Sequence, residues 1–316
     1  MNNRFRLILI NVLLILALLV AIETTSRITL SCIYNRNFDS SLISDNSYGH
    51  SSGLRANAGG MVWGKPFHTN AFGARKGARP YNSTKKNWLY IGDSVTEGVG
   101  VDDTATFSSI CAAAFPQYNI LNYSLIGYST ADYLRVLETV LSRDSAVELV
   151  TLFYCLNDVY GATAAKDLPA IARPGWKGKL NGWLQNRYAT YKLIKLLFHQ
   201  HSDRYLEYDL QFYQSDNPLF RQSMNNLYRC DSLCKSRNVF MQVVMLPYRG
   251  QLTDTSAAKR VPQQLVGRFC ATAGIEFSDA APELAHSGNV RSFYLFADEI
   301  HYSEEGHRAL ARFLSE

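Results

Sequence analysis

Charge is scarce in this chain. Only 19% of its 316 residues are Asp, Glu, Lys or Arg, and 47% are hydrophobic. That balance excludes a disordered chain, which cannot bury enough apolar surface to fold. Nine prolines and twenty glycines are too few for a collagen-like sequence. No fixed period recurs, which argues against a solenoid or propeller. Only one apolar run approaches a membrane span, so a polytopic membrane protein is excluded. The six cysteines (Cys32, Cys111, Cys155, Cys230, Cys234 and Cys270) are too widely spaced for a small disulfide scaffold. Cys230 and Cys234, four apart on an expected helix, make an awkward bridge and lack partners for zinc. Most of the six read as small buried apolar residues.

The formal charge of +5 is unevenly distributed. Seven bases and one acid fall between Lys166 and Lys195, and five bases without an acid between Arg75 and Lys86. The first reads as a solvated face, and also as a surface for anionic lipid or an acidic polysaccharide. No zinc-finger, RRM-like or leucine-zipper signature accompanies them, so no nucleic-acid partner is expected. His199-Gln-His201 lacks a third ligand, and His301 and His307 flank Glu304-Glu305 without a zincin pattern. Neither a metal nor another cofactor is implied.

Arg4 and Arg6 precede Leu7–Ile22, sixteen residues whose one polar member is Asn11. A basic start before an apolar run is a cleaved signal peptide or a signal anchor. As a helix the run spans about 24 Å, a little short of the ~30 Å hydrocarbon core, a gap that bilayer thinning or Phe5 can close. Val20-Ala21-Ile22-Glu23 is a poor cleavage site, which favours an uncleaved anchor over residues 1–22. The positive-inside rule then puts the remainder on the extracytoplasmic, periplasmic side.

Residues 23–86 are polar, with Ser, Asn and Gly clusters, and read as a stalk and irregular lead-in. From 87 to 316 the pattern changes. Expected strands at 88–91, 118–123, 147–155, 239–246 and 275–277 alternate with expected helices at 106–115, 130–142, 219–237, 261–273 and 303–314. Such alternation argues for a parallel sheet covered on both faces, with ligand sites at the carboxyl ends of the strands. Residues 161–218 interrupt the pattern with an aromatic, basic, helical piece over 179–198, a candidate lid or interaction arm.

Three of those strand ends carry polar residues of matching chemistry. The first runs into Gly92-Asp93-Ser94-Val95-Thr96-Glu97-Gly98, which exposes a serine at a helix N-terminus. The second leads to Gly127 and its unencumbered N–H, and the third to Asn157-Asp158, whose amide can donate to an oxyanion. Far downstream, His301 offers a general base with Asp298 beside it. Taken singly, Ser94 reads equally as a helix cap, Asn157-Asp158 as a turn, and Asp298 and His301 as caps of the last helix.

Together, and in this order, the four blocks resemble the SGNH/GDSL hydrolase superfamily over about residues 87–316. Cys155 stands where the third block usually has glycine. The segment Asn70-Ala-Phe-Gly73-Ala-Arg75 is similar to a lead-in of membrane-tethered members. The resemblance implies a three-layer α/β/α, flavodoxin-like fold and ester hydrolysis through an acyl-serine. Ser94 would be the nucleophile, His301 the base and Asp298 its orienting carboxylate. The Ser94 and Gly127 amides and the Asn157 side chain would form the oxyanion hole, and Asp93 would shape the turn. Gly-x-Ser-x-Gly, the elbow of α/β-hydrolases, is absent at Ser94.

The expected activity is removal of O-acyl groups, such as acetyl, from a small molecule or carbohydrate of the cell envelope. A lipase, thioesterase or O-acyltransferase would use the same residues. The non-enzymatic alternative is an anchored polysaccharide-assembly component with a degenerate site, which the Cys155 departure favours and the intact Ser94, Asp298 and His301 disfavour.

Overall fold

The computed structural model describes residues 3–33, 36–160, 176–198 and 204–316. Its helices are α1 (Asn3–Ile33), α2 (Ser94–Glu97), α3 (Phe107–Ala114), α4 (Thr130–Arg143), α5 (Trp176–Arg187), α6 (Ala189–Phe198), α7 (Arg204–Leu210), α8 (Pro218–Ser236), α9 (Arg249–Thr253), α10 (Val261–Ala273), α11 (Ala281–His286) and α12 (Glu304–Phe313). Its strands are β1 (Ile43–Tyr48), β2 (Ser51–Leu54), β3 (Gly59–Val62), β4 (Lys65–His68), β5 (Lys86–Ile91), β6 (Tyr118–Asn122), β7 (Val147–Tyr154), β8 (Phe240–Met245) and β9 (Glu276–Asp279). Two compact units result: residues 1–35 with 169–202, and residues 36–168 with 203–316.

In the first unit, Arg4–Ile33 is a helix long and apolar enough to cross a membrane. It runs well past residue 22, the end expected from hydropathy. Thr24 and Thr29 return their hydroxyls to the carbonyls of Val20 and Thr25, four residues back, and Glu23 pairs with Arg27 at 2.8 Å. The polar stretch therefore continues the helix instead of breaking it. The carboxylate of Glu23 accepts the N–H groups of Ala189 and Thr190 at 2.9 and 3.0 Å, capping α6. The helical piece expected over 179–198 is thus two helices that meet at Tyr188. Residues 161–175 of the expected insertion, and the His199-Gln-His201 pair, lie outside the described residues.

In the second unit the five long-range strands form one parallel sheet in the order β6-β5-β7-β8-β9. This is the flavodoxin-like arrangement, whose strand order reverses beside β5, the first strand laid down. Right-handed crossovers out to β6 and back to β7 put α3 and α4 on opposite faces. Accordingly α3 packs with α12, and α4 with α8. Trp88 to Ile91 of β5 and Val150 to Tyr154 of β7 are all buried, as strands covered on both faces require. The three-layer α/β/α architecture follows. All six cysteines are free thiols, and only Cys32 is exposed.

The lead-in differs from expectation. Residues 36–86 hold two antiparallel hairpins, β1–β2 and β3–β4, whose Leu42, Leu54, Val62 and Phe67 join the main core. Short strands with little alternation hide such hairpins from a periodicity search. Arg75, counted above in the second basic patch, is buried. Its guanidinium donates to the carbonyls of Glu97, Gly98 and Val101 and to Asp103, while lying over the Phe67 ring. It ties the segment before β5 to the loop that follows the candidate nucleophile.

Candidate active site

Strand β5 ends at Ile91, and the chain turns sharply into α2. Gly92 permits that turn, because a Cβ there would meet Thr96 Oγ1 at 2.2 Å. Asp93 is the helix cap, its Oδ1 accepting the Val95 N–H at 2.9 Å. Ser94 is therefore the first helical residue and not the cap. Its own N–H belongs to the helix end that has no intrahelical acceptor.

Sequence-distant groups converge on its hydroxyl. Ser94 Oγ lies 2.9 Å from His301 Nε2, and His301 Nδ1 lies 3.0 Å from Asp298 Oδ2. The other Asp298 oxygen accepts the N–H groups of Ile300 and His301 at 2.8 and 3.0 Å. This geometry makes Nδ1 the donor to the carboxylate and leaves the Nε2 lone pair facing the serine proton. Neither Asp298 nor His301 caps the last helix; Ser303 does, accepting the Gly306 N–H. Burial opposes ionisation of Asp298, yet the imidazole of His301 and the guanidinium of Arg36 hold its carboxyl well below the usual range.

Asn157 follows β7 and donates through Nδ2 to Asp93 Oδ2 at 3.0 Å, which places its amide nitrogen on the Ser94 side. Gly127, in the loop after β6, takes φ 82°, a conformation glycine adopts without strain. Its N–H has no acceptor among the described residues. The loop is tied to α2 twice. Ile126 N–H donates to Glu97 Oε2 at 2.7 Å, and Asn122 Nδ2 donates to the Thr96 carbonyl at 2.7 Å. Cys155 occupies negative φ, so no glycine is needed there for conformation. Its N–H is held by Asp158, which also accepts the Tyr133 hydroxyl. The arrangement contains a hydroxyl, a base oriented by a carboxylate, and N–H donors at strand ends. It is suited to attack on a carbonyl carbon with stabilisation of the resulting oxyanion.

Two further residues escaped the sequence reading. Trp63 and Gly64 make the β3–β4 turn with φ 51° and 77°, and the indole rests edge-on against His301 with ring centroids 4.5 Å apart. A tryptophan in the left-handed region costs about 1 kcal/mol, offset here by its contacts. Arg36 covers the same indole at 4.8 Å and pairs with Asp298 Oδ2 at 2.7 Å. The available signal was a Trp-Gly pair, a hairpin turn in a segment read as irregular.

The family model for GDSL-like lipases and acylhydrolases matches residues 90–309. Three solved structures similar to this chain span nearly their whole length. A catalytic mutant of Axe2, an acetylxylan esterase from Geobacillus stearothermophilus, is 18% identical over 73% of this chain and 93% of that one, with a TM-score of 0.45. TesA is 14% identical over 73% and 97%, with a TM-score of 0.46. A member of the lipolytic G-D-S-L family from Veillonella parvula is 16% identical over 72% and 94%, with a TM-score of 0.42. No curated protein matches the chain.

Burial pushes the Glu97 carboxyl up to about 8, and its Oε1 has no partner among the described residues. The folded state thus keeps a proton that the unfolded chain loses near pH 4.5, and stability declines as pH rises between those values. Glu97→Gln removes that slope. Between pH 5 and pH 8 the melting temperature of the parent protein should fall by roughly 5 °C more than that of the variant. Parallel melting curves would mean that Glu97 is ionised in the folded protein.

Proposed function

Because the chain belongs to the GDSL-like lipase/acylhydrolase family and is an SGNH-type ester hydrolase, we propose that it cleaves O-acyl esters through an acyl-enzyme on Ser94. The observation that carries this reading is the continuous chain from Ser94 Oγ through His301 to Asp298. His301 takes the serine proton as the hydroxyl adds to the ester carbonyl. Asp298 holds the imidazole tautomer and stabilises the imidazolium. The backbone N–H groups of Ser94 and Gly127, with Asn157 Nδ2, receive the oxyanion. His301 then protonates the departing alcohol, and a second cycle with water frees the acid.

We assign an acetyl group on a carbohydrate as the preferred substrate. Ser94 is only 6% exposed, which favours a two-carbon acyl group over a long chain. Half-buried Trp63 beside His301 offers an amphipathic aromatic edge of the kind that contacts sugar rings. A sugar hydroxyl in place of water would make the same residues an O-acyltransferase, revealed by product that depends on acceptor. With p-nitrophenyl esters, the acetyl substrate should be turned over faster than butyryl or octanoyl. Ser94→Ala should lose about 10³-fold or more in kcat. Equal turnover by wild type and Ser94→Ala would end the serine mechanism, and an octanoyl preference would transfer the enzyme to lipid or thioester substrates.

The same proposal takes the Arg4–Ile33 helix as an uncleaved anchor, with the hydrolase outside the cytoplasmic membrane. It rests on the helix's apolar length and on Arg4 and Arg6 at its start. The full chain should stay with membranes after an alkaline carbonate wash and be degraded by protease added to spheroplasts. Release by carbonate with loss of the first 22 residues would show a signal peptide instead.

A further inference from the structure

Asn157 is fixed by two neighbours, and one of them leads to a buried acid that the mechanism above does not use. Its Nδ2 donates to Asp93 Oδ2, while its Oδ1 lies 3.0 Å from the Tyr248 hydroxyl. That same hydroxyl lies 2.6 Å from Asp209 Oδ2, and the other Asp209 oxygen accepts the Tyr160 hydroxyl at 2.5 Å. Asp209, on α7, and Tyr248 are both 0% exposed.

The protons must be counted. Tyr248 has one hydroxyl proton and two close acceptors. If Asp209 is a carboxylate, that proton satisfies either Asp209 or Asn157. The remaining contact then sets two lone pairs against each other within 3.0 Å. If Asp209 is a carboxylic acid, every contact is satisfied. Asp209 donates to Tyr248, Tyr248 donates to Asn157 Oδ1, and Tyr160 donates to Asp209 Oδ1. The amide of Asn157 is then locked with its nitrogen toward Asp93 and the serine. With Asp209 ionised, the Tyr248 donor is withdrawn from Asn157 Oδ1, and the contact with Asp93 is left to hold the amide by itself.

We propose that Asp209, in its carboxylic acid form, is a positioning residue that acts through Tyr248 to aim the Asn157 amide at the oxyanion. The proposal rests on the reading of Asn157 as an oxyanion donor. Burial and the nearby Asp93 favour the acid form, while the hydroxyls of Tyr160 and Tyr248 pull the other way when they donate to Asp209. Asp158, Cys155 and Tyr213 also face Asp209, and none of them brings a positive charge. No Lys, Arg or His among the described residues pairs with it. Burial pushes its carboxyl up to about 7, so the switch falls in the working range of an esterase.

The test is the pH profile of kcat for p-nitrophenyl acetate in the full chain, with a thermal melt of each variant as a folding control. Wild type should lose kcat above about pH 7–8, as Asp209 ionises. Asp209→Asn keeps a donor toward Tyr248 and an acceptor toward Tyr160 at every pH, so its profile should hold level where the wild type falls. Tyr248→Phe leaves Asn157 without its donor and should lose kcat at every pH, approaching the 10²–10³-fold that an oxyanion donor is worth. KM should change little in either variant. An Asp209→Asn profile that falls as the wild type does, or a folded Tyr248→Phe with wild-type kcat, overturns the proposal while leaving the serine mechanism standing. Failure of the serine mechanism shows separately, as activity that survives Ser94→Ala.

Discussion

The activity proposed for this molecule depends on one contact, the 2.9 Å approach of His301 Nε2 to Ser94 Oγ across 207 residues of chain. Neither group is special alone. A serine hydroxyl is a poor nucleophile, and a lone histidine is a weak base. The parallel sheet brings them together. Strand β5 lies inside the sheet and delivers Ser94 at its carboxyl end, beside the point where strand order reverses. The loop before α12 returns across the same edge. Asp298 hydrogen bonds to the backbone of its own turn, which prevents the imidazole from being held only by the hydroxyl it must deprotonate.

The electrostatics of the neighbourhood follow one rule. Asp93, Glu97, Asp158 and Asp209 are buried without a dominating cation, and burial raises the affinity of each for its proton. Asp298 is equally buried but touches His301 and Arg36, and it alone among these is driven below the ordinary carboxylate range. The carboxylate driven downward is the one in contact with the imidazole, so negative charge is favoured where an imidazolium would develop. Asp158 and Glu97 do their work as hydrogen-bond acceptors. The first fixes the backbone at Cys155, the second the loop that carries Gly127.

Much of this was legible in the sequence, because strands buried on both faces leave continuous apolar runs and strand ends in such folds carry the chemistry. Ser94, Asn157, Asp298 and His301, which the fold brings together, stand out by residue type and order. Arg36, Trp63 and Arg75 do not. They belong to the lead-in around two short hairpins whose strands lack alternation, and a polar segment after an apolar helix reads as a stalk. Asp209 was hidden for another reason. It lies on the short helix α7, within the 161–218 stretch that interrupts the strand–helix alternation, and its proposed importance comes from a proton count among Tyr160, Tyr248 and Asn157, which are adjacent only after folding.

The most direct measurement is the site of covalent capture by an activated phosphorus ester. Treating the full chain with a biotinylated fluorophosphonate, followed by tryptic mass spectrometry, should yield one adduct on the serine at position 94. His301→Ala should abolish that adduct without unfolding the protein. Labelling at a different serine, or hydrolytic activity from a protein whose Ser94 never reacts, would contradict the account.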